Sequence, residues 1–141
     1  MCIRDSETLA NVPLAQSPLT SECTPPVFEE ATGEIARERA ECAKQLDQAF
    51  AEFFTVAKGA RRYDILVAHG NVIRYLVVKA LKVDPRSWAG LSVAHASLTI
   101  IQVQPDGSMK VLAVGDSGHI PSPLLSWGDA GDRQLVAPAT R

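Results

Sequence analysis

The period of the hydrophobic pattern changes along this 141-residue chain, and each change predicts an element. Over residues 27–58, apolar side chains recur at spacings of three and four, which predicts a long helix with one apolar face. Gly33 marks a break near its start, and Gly59 is a plausible stop. The apolar face consists of Ala36, Ala40, Ala43, Leu46, Phe50, Phe53 and Ala57.

A continuous apolar run follows this helix. Residues 63–68 predict a strand that is apolar from Ile65 onward and therefore buried on both faces. Residues 71–81 return to helical spacing, and residues 85–88 predict a turn or a short helix. The order is thus helix, strand, helix over the middle of the chain.

Two runs rich in β-branched residues follow, over residues 97–104 and 109–114. They flank the turn sequence at 105–108 and predict a β-hairpin. Residues 115–141 are rich in Pro, Gly, Ser and Asp, which predicts a loop and then a disordered tail. Alternating helices and strands indicate an α/β fold. Three strands are few for a covered parallel sheet, so we expect the C-terminal part of an α/β domain whose first strands are missing.

Charge and composition exclude several classes of function. A net charge of -2 with no basic stripe argues against nucleic acid and anionic lipid as partners. The sequence shows neither a membrane-spanning run nor a signal-peptide core. Cys2, Cys23 and Cys42 have no metal-binding spacing and favour a reducing compartment, so a cytoplasmic location is expected.

His69 is the strongest candidate for chemistry. It ends the predicted strand, where open α/β sheets bind ligands, and it precedes a helix whose first N–H groups favour an anion. Near neutral pH an imidazole can act as base, acid or cationic phosphate clamp. The alternative is a buried histidine bonded to a backbone carbonyl. Gly70 permits close backbone approach or a positive φ, and Asn71 either caps the helix or contacts a ligand.

Other polar residues offer weaker candidates. Glu22 lies in a proline-bounded loop, as either a general acid held near a phosphate or a solvated carboxylate. Ser97 begins a predicted strand and could donate to an anion. His95 and His119 are more often structural or exposed, and three histidines without acidic spacing make no metal site.

An α/β-hydrolase is one rival interpretation, because a His-Gly segment after a strand can supply an oxyanion hole in that fold. It requires a G-x-S-x-G nucleophile elbow later in the chain. Residues 115–119 have the central serine but end in His119 instead of glycine. The rival is therefore weak.

The run of residues 68–74 resembles the second histidine motif of the histidine phosphatase (phosphoglycerate mutase-like) superfamily. Further segments resemble, in order, a subgroup of mitochondrial serine/threonine protein phosphatases and their bacterial relatives. These segments are residues 74–76, Trp88, and residues 91–92, 97–99 and 115–118. The resemblance implies part of a three-layer α/β/α phosphoglycerate mutase-like domain over residues 7–120. Residues 1–6 are then a non-native start, and residues 121–141 a flexible tail.

The family forms a phosphohistidine on a first histidine within an Arg-His-Gly motif, and it needs no metal or cofactor. The resemblance implies that His69 is the second, phosphate-binding histidine and Glu22 the acid for the leaving group. It also implies phosphate binding by Gly70, Asn71 and Ser97. Arg4, with Glu7 and Thr8, resembles the Arg-x-x-Glu-Thr segment that carries a phosphate-binding arginine.

One departure from the family is serious: no Arg-His-Gly occurs in the sequence. Residues 1–5 also look like a translated sequencing adapter, which would make the match at Arg4 accidental. We therefore expect a parent protein that hydrolyses phosphomonoesters, on a phosphorylated protein or a small phosphate ester, and an inactive fragment. The alternatives are a catalytically dead phosphate- or protein-binding module and a phosphoglycerate-type mutase. The sequence gives no oligomeric state.

Overall fold

The computed structural model describes residues 17–127. Two helices, α1 (Gly33–Phe53) and α2 (Gly70–Ala80), precede two antiparallel strands, β1 (Leu98–Val103) and β2 (Met109–Asp116). Helices beside a sheet confirm the predicted α/β class. The described part also contains short 3-10 helices at Pro18–Thr20, Pro85–Gly90 and Ser122–Leu124.

Helix α1 is shorter than predicted at both ends. It begins at Gly33, whose φ of 62° is a left-handed conformation that glycine adopts readily, so the helix cannot extend back to residue 27. It ends where Phe54 turns away from helical geometry, and the Phe54 N–H still donates to the carbonyl of Phe50. Gly59 lies beyond this end and is not the stop. The apolar face is confirmed in part, because Leu46 is buried and Phe50 and Phe53 are half-buried, whereas Ala40 is exposed. Cys42 and Ala49, which were not assigned to that face, are also buried.

Helix α2 forms the centre of the core. Its length agrees with the prediction to within one residue at each end, and more than half of its side chains are buried. The Tyr75 hydroxyl donates to Asp47 of α1 at 2.9 Å, and Lys79 Nζ lies 2.7 Å from the same carboxylate. Burial, together with this hydrogen bond, raises the pKa of Tyr75. The buried cluster comprises Cys42, Leu46, Val72, Tyr75, Leu76, Val78 and Trp88.

The predicted hairpin is confirmed. Val103 pairs with Met109 across a turn in which Gly107 adopts a φ of 80° and donates to the carbonyl of Gln104. Side chains on both strands alternate between more and less exposed, as expected for a sheet with one covered face. Strand β2 continues to Asp116, two residues further than predicted.

The predicted buried strand at residues 63–68 is wrong. These residues form no strand, and Ile65 and Val67 are 67% and 57% exposed. An apolar sequence becomes a buried strand only when neighbouring strands hydrogen-bond to it and other layers cover it. Within residues 17–127 the sheet contains β1 and β2 alone, so this segment has neither.

Residues after β2 are in contact with the rest of the protein. Trp127 forms an isolated bridge with Ala94, and the Ser126 carbonyl accepts from the His95 N–H. The part of the predicted tail at 128–141 lies outside the described residues. The predicted non-native start and Arg4 also lie outside them.

Candidate active site

His69 occupies the residue directly before α2. Its backbone is extended, and its carbonyl accepts the N–H of Ile73 at 3.0 Å. The His69 side chain makes no hydrogen bond to the first turn of α2, so the N–H groups of that turn can bind another acceptor. The imidazole is 32% exposed and is not the buried histidine of the alternative interpretation. A titratable ring therefore lies beside the positive end of a helix, an arrangement that favours an anion.

Glu22 reaches the same place from a distant part of the sequence. Its Oε2 lies 3.4 Å from Nδ1 of His69. The Glu22 side chain is 64% exposed, so water screens this pair and the contact contributes little to stability. The structure thus brings together the two residues predicted to be catalytic. A carboxyl beside an imidazole can donate a proton when protonated, or stabilise the imidazolium when ionised.

The loop that carries Glu22 is anchored on both sides of that residue. Before it, Nε2 of Gln45 donates to the carbonyls of Leu19 and Ser21 at 3.3 and 3.1 Å. After it, the Trp88 indole donates to the carbonyl of Pro26 at 2.9 Å. Glu22 therefore lies on a loop that is attached to α1 and to the 3-10 helix at Pro85–Gly90.

A disulfide joins Cys23 of this loop to Cys42 of α1. It contradicts our expectation of free thiols in a reducing compartment. Sequence spacing could not show it, because the fold brings these residues to a Cα–Cα distance of 5.7 Å. Cys42 is buried in α1, four residues before the buried Leu46, and this helical spacing was the signal that the sequence offered.

The sequence allowed Asn71 to cap α2 with its side chain, but the N-cap residue is His69 and Asn71 lies inside the helix. Its Nδ2 donates to the carbonyl of Cys23 at 3.4 Å, and its Oδ1 accepts from the guanidinium of Arg74. Arg74 also donates to the carbonyl of Leu91 at 3.0 Å and lies over the Trp88 ring at 4.8 Å. The sequence analysis did not single out Arg74 as a site residue. Its position three residues after Asn71, on the same helix face, was the available signal.

Gly70 is helical and lacks the positive φ that its sequence allowed. A side chain there would meet Val93 at 3.5 Å, an ordinary contact. The Ser97 hydroxyl donates to the carbonyl of Ala94 at 2.7 Å, so it serves its own turn. The contacts described for Ser97 do not connect it to His69.

The other two histidines have structural partners. Nδ1 of His95 lies 2.9 Å from the Ser126 hydroxyl, and Nε2 of His119 lies 3.0 Å from the carbonyl of Ala96. Over residues 17–127, no group of three or more His, Cys, Asp or Glu side chains is arranged to hold a metal ion. His95 and His119 therefore each contact a segment that is distant in sequence.

The family model of the histidine phosphatase superfamily (branch 1) matches residues 20–116, which is more than half of the chain. The chain belongs to the histidine phosphatase superfamily. The match includes both His69 and Glu22 and sets aside the α/β-hydrolase interpretation.

Among curated proteins, the chain is similar to enzymes named serine/threonine-protein phosphatase Pgam5, mitochondrial. It is 36% identical to that of Drosophila ananassae over 85 residues, 58% of this chain and 29% of the relative. It is 33% identical to that of Caenorhabditis elegans over 88 residues, 60% and 31% of the two chains. It is 44% identical to that of Drosophila persimilis over 59 residues, 42% and 20%. The chain thus spans less than a third of these relatives.

These names correct one expectation. The relatives are named as mitochondrial, which contradicts the cytoplasmic location expected from the cysteines and the start of the sequence. In the part of the chain that the structure describes, neither helix combines the length and the apolar character needed to cross a membrane.

Proposed function

We propose that His69 and Glu22 belong to the phosphate site of a histidine phosphatase that hydrolyses phosphomonoesters. The contact between the two side chains, beside the uncapped start of α2, carries this proposal. In the proposed site, His69 binds the phosphoryl group and the first N–H groups of α2 bind its oxygens. Positioned charges of this kind stabilise the transition state of phosphoryl transfer.

The proposed reaction has two steps. An imidazole nitrogen of a first histidine attacks phosphorus while the bond to the ester oxygen breaks, and Glu22 donates its proton to that oxygen. Water then attacks phosphorus of the phosphohistidine and gives a proton back to the Glu22 carboxylate, while the bond between phosphorus and nitrogen breaks, which releases inorganic phosphate and restores the histidine. The first histidine would come from an Arg-His-Gly motif, which these 141 residues do not contain. We therefore propose that the nucleophile belongs to a part of the protein outside this sequence.

The substrate we propose is phosphoserine or phosphothreonine in a protein. The names of the relatives support it, since they are serine/threonine-protein phosphatases. The same names support a mitochondrial location. A small phosphate ester is the alternative substrate, and the exposure of both side chains would admit either.

A second function follows from the missing motif. Without a nucleophile, this chain by itself would bind phosphate and leave the ester intact, as a binding module does. Both functions predict binding at His69, and neither predicts turnover by these 141 residues alone. Turnover by a protein that also carries the Arg-His-Gly motif would distinguish the first function from the second.

The experiment is an assay of p-nitrophenyl phosphate hydrolysis by the chain and by its His69→Ala variant. We expect equal rates, no higher than that of buffer, since binding groups without a nucleophile give no phosphohistidine. A Glu22→Gln variant should share this rate. A wild-type rate that falls on removal of His69 would contradict the proposal that the nucleophile lies elsewhere.

A further inference from the structure

The carboxyl of Glu22 depends on its loop for its position. Its own contact with His69 is 3.4 Å long and open to water, which is too weak to hold a loop in place. The anchors at Ser21 and Pro26 lie on either side of Glu22 and attach to other elements than α2. A further contact is needed to fix the carboxyl relative to the imidazole.

Cys23, the next residue after Glu22, provides that contact. Its side chain is bound to α1 by the disulfide with Cys42, and its carbonyl accepts Nδ2 of Asn71 in α2. Asn71 lies two residues after His69. One hydrogen bond therefore joins the backbone beside the acid to the helix start beside the histidine.

Arg74 determines which way the Asn71 amide faces. Its guanidinium donates to Oδ1 of Asn71, which directs Nδ2 toward the loop. Arg74 is itself held by the carbonyl of Leu91 and by the Trp88 ring. Its Nε is buried without a hydrogen-bond partner among the described residues, so the guanidinium occupies this place at a cost.

We infer that Asn71 is a positioning residue that holds Glu22 within reach of His69, with Arg74 fixing its amide. The inference rests on the proposed role of Glu22 as the acid. This positioning role replaces the phosphate contact expected of Asn71 as far as its side chain is concerned, because Nδ2 already donates to Cys23 and Oδ1 already accepts from Arg74. The backbone N–H of Asn71 stays among the first-turn groups of α2 that have no side-chain cap and can bind an anion.

The test is nuclear Overhauser spectroscopy on the isotope-labelled chain. In the wild type we expect cross-peaks between the Glu22 γ-protons and the His69 ring, and between the Asn71 side-chain amide and Cys23. In Asn71→Ala the Glu22–His69 cross-peak should be lost. Asn71→Asp should lose it too, because aspartate keeps an acceptor for Arg74 but has no donor for Cys23.

Lys79→Met is the matched control. It removes the ion pair with Asp47 at the other end of α2, so it weakens helix packing without touching the loop. The Glu22–His69 cross-peak should survive this change. A peak that is also lost in the control would overturn the inference, since general destabilisation would then explain the result.

Persistence of the Glu22–His69 cross-peak in both Asn71 variants would overturn the inference and leave the proposed phosphate site intact. Absence of the peak in the wild type would instead remove the observation behind the proposed function. Should the Asn71 variants not fold, the wild type still decides. If the wild type shows no cross-peak between the Asn71 side-chain amide and Cys23, the hydrogen bond that joins α2 to the loop does not form in solution and the inference is overturned.

Discussion

Arg74 shows how one side chain can be mistaken for a ligand-binding group. In a phosphatase, an arginine five residues after the histidine could bind phosphate, yet here its charge serves the interior. It donates to Leu91 and Asn71 and lies over Trp88. The cation is therefore spent on orienting other groups.

We predict that Arg74→Met lowers the free energy of unfolding by about 2–3 kcal/mol, because hydrogen bonds from a charged group contribute about 1.5–3 kcal/mol and a cation–π contact about 0.5–2. Urea denaturation measures the change. Arg37→Met is the control, since Arg37 pairs with Glu41 on the solvent face of α1 and should cost less than about 0.5 kcal/mol. Equal costs would show that the network around Arg74 contributes nothing.

Asp84 allows a prediction about pH. The hydrogen bonds from the Arg86 side chain and backbone lower the pKa of Asp84 from 3.8 to about 2. A depressed carboxyl pKa stabilises the folded state above the unfolded pKa, and the effect is lost as pH falls from about 4 to about 2. Because the pair is exposed to water, Asp84→Asn should lower the Tm only slightly at pH 6, and by less at pH 2, where the folded-state carboxyl is about half protonated. Thermal melts at both values test this, and a difference in Tm that does not shrink between pH 6 and pH 2 would contradict the pairing.

The two helices show what the sequence could and could not predict. Helix α2 was predicted to within a residue at each end, because its apolar pattern and its buried face coincide. Helix α1 was predicted too long. Glutamates and alanines favour a helix at every position, but the left-handed backbone of Gly33 makes the helix begin there. Spacing of apolar residues gives the face of a helix better than its ends.

The site was predictable only in part. His69 and Glu22 were found as separate candidates, and the structure adds their contact. The disulfide at Cys23 and the hydrogen bond from Asn71 to the Cys23 carbonyl could not be predicted, because they join segments distant in sequence. The contact between Asn71 and Arg74 had a local signal, since the two residues lie three apart on one helix. Such contacts depend on how elements pack and leave no local pattern.

The disulfide between Cys23, in the loop that carries Glu22, and Cys42 of α1 should contribute measurably to stability. It closes a segment with a sequence separation of 19, and loops of this length gain about 3 kcal/mol from the lower entropy of the unfolded chain. We predict a loss of this size on reduction with dithiothreitol, measured by urea denaturation. Cys23→Ser should show the same loss and no further response to reductant. A peptide map without a Cys23–Cys42 link under non-reducing conditions would contradict the pairing.

Within residues 17–127, exposed apolar side chains are concentrated in two places, residues 63–67 and one face of the hairpin. In soluble proteins, contiguous exposed apolar surface is typical of interaction sites. Residues 63–68 belong to this exposed surface because they form no strand, although their apolar sequence is typical of a buried one.

Two substitutions separate this surface from the core. Ile65→Lys should change the free energy of unfolding by less than about 0.5 kcal/mol, because the side chain is already 67% exposed. Leu46→Ala, at a fully buried position, should cost about 2–5 kcal/mol. Urea denaturation measures both effects. A large loss of stability in Ile65→Lys would show that this segment is packed after all.

We propose that His69 and the start of α2 form an anion site for phosphate. The most direct test is a titration of the labelled chain with inorganic phosphate, followed by NMR for the wild type, His69→Gln and His119→Gln. We expect saturable shifts of the His69 ring and of the Gly70 and Asn71 amides. His119→Gln should keep the amide shifts and His69→Gln should lose them. Shifts that are absent from the wild type, or amide shifts that are unchanged in His69→Gln, would contradict a phosphate site at His69.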